Sequence, residues 1–145
     1  MAIVAFAIQS AEAAPYKLIH AFKGGAADGR EPGWASTVTI SGSTMYGVTL
    51  TGSKYTNGVV FQMSADGTGS VKILHAFNGK IETGSGDAND GDYPIGTPVL
   101  VGSTLYGMTE YGGTNGIGCI YSVGTDGSNF QMLHHFGALN DGFAP

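Results

Sequence analysis

The clearest pattern along the chain is alternation. Val59, Phe61 and Met63 alternate with Val60 and Gln62, and Cys119, Tyr121 and Val123 hold the same places at an offset of 60. Period two sends successive side chains to opposite faces and predicts a strand. A second run, TMYGVTL from Thr44, matches TLYGMTE from Thr104. Gly47 and Gly107 fall in the middle of these runs, where glycine weakens a strand unless another backbone must come close. YKLIHAF at 16–22 returns as VKILHAF at 71–77 and as FQMLHHF at 130–136. Two short apolar stretches, around STVTISG from Ser36 and TPVLVG from Thr97, bring the count to four strands per unit. Behind each His-x-Phe strand comes Asp-Gly-x-x-Pro: DGREP from Asp28, DGDYP from Asp90 and DGFAP from Asp141. Gly supplies positive φ and Asp bonds its own backbone, so this motif reads as a turn.

The spacing divides the chain into a leader at 1–14, one repeat at 16–70, a second at 71–129 and the start of a third at 130–145. Tandem four-stranded units predict an all-β fold, the blades of a β-propeller, with two full repeats plus the first strand of a third. Propellers close with about four to eight blades. The expectation is therefore a partial or oligomer-completed ring, which needs further repeats or self-association to close.

Composition narrows the partners. Charged residues make up 12% of the chain, against about 25% in ordinary soluble domains, so solubility rests on Thr, Ser, Asn and the 25 glycines. A net charge of -5 with six Lys and Arg leaves no basic patch for phosphates, which argues against nucleic acid. The single Cys119 excludes an internal disulfide and a CxxC metal site. At the N-terminus, the apolar run from Ala2 to Ile8 precedes Ala11-Glu12-Ala13, the small-x-small pattern of a signal-peptidase site. The run is too short to span a bilayer, for which about 20 apolar residues are needed. Export to the cell surface or the medium is the expectation.

The His-x-Phe strand, the Asp-Gly-x-x-Pro motif, Leu-Tyr-Gly-x-Thr, a Gly-Gly-x-Asn-Gly loop and an aliphatic-aromatic strand before Asp-Gly together resemble the GloVer tandem repeat of exported "choice-of-anchor" bacterial proteins. The best match is LYGMTEYGGTNGIGCIYSVGTDG at 105–127, and the resemblance covers 16–145. It implies export and a propeller-like array, and it carries no catalytic residues. The first copy departs from the pattern, with LTGSKYTNG where the second has EYGGTNG.

Candidate chemistry is sparse. His20, His75 and His134 share one repeat position beside apolar neighbours and read as packed histidines with one hydrogen bond each. His135 is a local variant, replacing alanine. In SGDANDGDY, Asp87, Asn89, Asp90 and Asp92 offer hard oxygen ligands suited to Ca²⁺, although the EF-hand spacing is absent. Trp34, Tyr55, Tyr93 and Tyr111 lie in or beside loops and could stack on sugar rings, with polar loops bonding the hydroxyls. Glu110 replaces Leu50 just after the Tyr-Gly-x-Thr segment and is the one acid in a possible channel-facing strand. Two functions compete on these grounds. The favoured one is a non-catalytic array that binds a glycan or another surface protein. The alternative is part of a polysaccharide lyase or hydrolase, which would require a pair of carboxylates where Glu110 is one.

Overall fold

The computed structural model describes residues 15–33, 36–79, 89–137 and 141–142. Among them there is no helix, and nine strands form two antiparallel sheets. In the first sheet β1 (Gly29–Pro32) and β2 (Thr39–Ser41) both pair with β3 (Thr44–Gly52), which continues to β4 (Val59–Ser64) and β5 (Lys72–Ala76). The second is a meander of β6 (Gly91–Val101), β7 (Thr104–Gly112), β8 (Cys119–Gly124) and β9 (Gln131–His135). The described residues form no closed ring of sheets. They include no helix long and apolar enough to cross a membrane.

Register is conserved between the sheets position by position. Met45 faces Met63 and Gly47 faces Phe61, as Leu105 faces Val123 and Gly107 faces Tyr121. Even the irregularity recurs, between Val60 and Phe61 in one sheet and Ile120 and Tyr121 in the other. β6 does alone what β1 and β2 do together, pairing Gly91 with Gly112 at one end and Val101 with Thr104 at the other.

Three sequence expectations change here. Asp-Gly-x-x-Pro does not form a free turn, because Gly29–Pro32 and Gly91–Pro94 run as strand against β3 and β7. Its prolines are tolerated because these are edge strands, with one side free of ladder bonds. Residues 16–22, read as a first strand, lie outside every strand, whereas their counterparts at 72–76 pair with β4. The segment that opens each sequence repeat is thus the last strand of the sheet before it. Finally, what comes close to Gly47 and Gly107 is an aromatic ring and no backbone. A Cβ at Gly47 would lie 2.7 Å from Phe61 Cζ, and one at Gly107 would strike the Tyr121 ring. Glycine with an aromatic residue directly opposite lets the ring lie flat across the strand.

The main core lies between the sheets. Tyr46, Val48, Val60, Leu74 and Phe77 of the first half meet Leu105, Tyr121 and Val123 of the second. A smaller cluster, Met45, Val59, Phe61 and Met63, covers the other face of the first sheet and packs against Phe22. Thr49 and Thr109, fully buried, satisfy their hydroxyls by donating to the Thr51 and Tyr111 carbonyls at 2.9 and 2.8 Å. This accounts for the Thr of the Tyr-Gly-x-Thr motif.

Tyr121 is fully buried and its hydroxyl has no partner. The first copy places Phe61 at this position and avoids the cost. Tyr121→Phe is therefore expected to raise stability by about 1 kcal/mol in urea denaturation, because a buried unpaired hydroxyl disappears. An equal loss would show that the hydroxyl is bonded.

Candidate ligand-binding site

The residues singled out in the sequence gather in part. Tyr93 on β6 and Tyr111 on β7 meet edge to face, with centroids 5.7 Å apart and planes at 75°. Their strands are paired through Asp92 and Tyr111, so regular pleating would not bring these two rings together. The contact is made because Tyr93 adopts φ 53°, in the left-handed region. Glu31, its counterpart before the other proline, has φ 58°, so this backbone belongs to the motif and not to one binding site. Glu110 stands beside the pair. Its carboxylate holds the neighbouring Tyr111 phenol above its ordinary pKa. All three residues are half-buried.

Loop 53–58 of the first sheet abuts this end. The Tyr93 N–H donates to the Asn57 carbonyl at 3.2 Å, and Asn57 Nδ2 donates to the Gly79 carbonyl at 2.7 Å. Tyr55 is exposed on that loop, with the Lys54 ammonium 4.8 Å from its ring centroid. Trp34 and Asp87 lie outside the described residues.

Asp92, opposite Tyr111 in the ladder, is fully buried, with neither carboxylate oxygen hydrogen-bonded. Burial pushes its pKa from 3.8 up to about 6, against the opposing pull of the nearby Tyr93 N–H, and the Asp90 charge adds to the rise. Asp90 itself is committed. It accepts from His75 Nε2 at 3.2 Å, from Asn78 N–H at 2.9 Å and from Gly91 N–H at 2.8 Å. Asn89 is exposed. Among the described residues, no three His, Cys, Asp or Glu side chains gather as a metal site. Among the described residues of that segment Asp92 supplies the buried unbonded carboxylate oxygens, whereas Ca²⁺ takes about six to eight oxygen ligands.

The histidines are bonded as their position suggested, His20 and His75 half-buried and His134 exposed. His20 bonds Asp28, His75 bonds Asp90 and His134 bonds Asp141, and each ring stands edge-on to the Phe two residues later. Each pair ties a His-x-Phe segment to the Asp-Gly-x-x-Pro motif that follows. Both motifs were visible in the sequence, but the loops between them differ in length, which hid the pairing. Cys119 is a fully buried small residue whose thiol is held above its ordinary pKa by burial.

One concave surface was not anticipated. A polar cleft of about 510 Å³ on the outer side of the second sheet is lined by Ser103, Tyr106, Ser122, Asp126, Asn129 and Gln131, among others. Its residues come from hairpin ends that the sequence marks only as turns. No family model matches the chain, and no curated protein or solved structure matches it either.

Proposed function

We propose that this is an exported, non-catalytic repeat protein of the GloVer type that binds glycan at the cell exterior through the Tyr93–Tyr111 end of its second sheet. On this reading the two sheets are blades of a propeller-like array. One observation carries the binding assignment: two half-buried tyrosine rings fixed edge to face, with Glu110 beside them as hydrogen-bond acceptor. Ring faces stack on the apolar side of a pyranose while a carboxylate accepts from its hydroxyls. Among the described residues Glu110 has no accessible second acid beside it for hydrolysis, since Asp92 is fully buried.

The test is a glycan array followed by titration calorimetry on the best binder. Tyr111→Ala is expected to weaken binding at least about tenfold, roughly 1.4 kcal/mol, without shifting the thermal midpoint by more than a few degrees. Turnover of any bound polysaccharide that vanishes in Glu110→Gln would replace this reading by an enzymatic one.

A further inference from the structure

Among the described residues, the first sheet is covered on both faces and the second on one. Tyr46, Val48 and Leu74, at 7%, 4% and 6% exposure, face the second sheet and are buried by it. Their counterparts Tyr106, Met108 and Leu133 are 38%, 39% and 49% exposed. Val99 and Val101 beside them are 60% and 62% exposed. The surface that the chain uses to hold its second sheet is thus displayed again, unpartnered, on the outside of that sheet.

The complementary surface is also present, on the outer face of the first sheet, where residues 16–22 lie. These residues contact the first sheet as 71–77 contact the second. Phe22 meets Phe61 at 5.1 Å and 64°, and Phe77 meets Tyr121 at 5.1 Å and 66°. Lys17 donates to the Asp66 carbonyl as Lys72 does to Asp126. Gly67 lies against Ile19 as Gly127 lies against Leu74. Residues 16–22 therefore occupy the place of the last strand of a preceding sheet, yet they belong to no strand themselves. Tyr16 and Leu18 remain 89% and 63% exposed, beside an apolar groove of about 370 Å³ lined also by Val38, Met45 and Met63.

From this we infer that a second copy of the chain docks head to tail, the outer face of its second sheet on the outer face of the first sheet here. The interface within one chain is the template, because each docking surface has its equivalent there, side chain by side chain. β9 is the counterpart of residues 16–22, so it must take their place when the copies join. The N-terminal segment is then a tethered competitor that lowers the apparent affinity of the chain for itself. Each copy offers one surface of each kind, so the contact is heterologous and builds rings or open chains. None of this depends on the glycan reading.

Sedimentation velocity over the micromolar to near-millimolar range tests the proposal. The full chain is expected to show a mass above 14.8 kDa that grows with concentration. Met108→Glu with Leu133→Glu, both at exposed positions, is expected to remain a single chain with an unchanged circular dichroism spectrum. Phe22→Ala, which removes the competitor's ring contact to Phe61, is expected to associate at about tenfold lower concentration. A single-chain mass for the full protein at every concentration overturns the proposal. So does association of the Met108/Leu133 variant at wild-type concentrations.

Discussion

Phe77→Ala is expected to cost about 3–5 kcal/mol, the range for removing a large aromatic side chain from a core. Phe77 is fully buried at the end of β5 and fills the space between the sheets. It meets the Tyr121 ring at 5.1 Å and the Phe130 ring at 5.9 Å, and its truncation also removes the edge contact to His75 at 4.7 Å. Small domains have about 5–15 kcal/mol of total stability, so much of the protein should be unfolded at moderate urea. Phe22→Ala removes the equivalent contact at the outer face, where the residue is only half-buried, and should cost clearly less. Denaturation curves followed by circular dichroism compare the two. Equal losses would mean that the cavity between the sheets closes without penalty.

Asp92→Asn should stabilise the protein at about pH 8 and do little at about pH 4. The sign follows from the direction of the shift. Unfolded, the carboxyl ionises near its ordinary 3.8; folded, it holds its proton until about 6. Between these values the folded state binds more proton than the unfolded one, so stability falls as pH rises. The loss levels off above about 6 at roughly 3 kcal/mol, an upper figure for ionising a carboxyl that has no hydrogen bond. An isosteric amide removes the charge and should flatten the pH profile across this window. Thermal melts of both proteins across the range provide the check. A wild-type profile that rises through the same window would show that the carboxylate has a favourable partner.

The two effects had different visibility in the sequence. β3, β4, β7 and β8 were readable because their runs recur in both copies at an offset of 60, and Phe77 belonged to a repeated apolar motif. The pairing phase was not, because a cyclic repeat has the same period wherever its start is drawn. Gly29–Pro32 and Gly91–Pro94 carry turn residues in an edge strand, where the missing proline N–H costs nothing. Residues 16–22 share their sequence with β5 but lack a neighbouring strand, and composition cannot report an absent partner. Asp92 was hidden for a similar reason. Its counterpart Arg30 is exposed, whereas Asp92 is fully buried next to the Tyr93–Asn57 contact with the first sheet. The tyrosine pair was suggested by residue type alone, and its geometry depends on a backbone angle that sequence spacing does not encode.

Thr37 and Thr97 hold the same place in the two copies, and they hydrogen-bond to each other, hydroxyl to hydroxyl at 2.9 Å and N–H to hydroxyl at 2.8 Å. When a unit is stacked on its own duplicate, such a position meets itself. Only a side chain that is its own complement can stand there. A hydroxyl qualifies, being both donor and acceptor, while an ammonium or a carboxylate would confront its like. A newly duplicated unit carrying a charge at that position would repel its twin before any second mutation could compensate. Self-facing positions therefore act as a filter on ancestry, and they give a physical reason for a chain whose surface is dressed in threonine and serine, with few acids and bases.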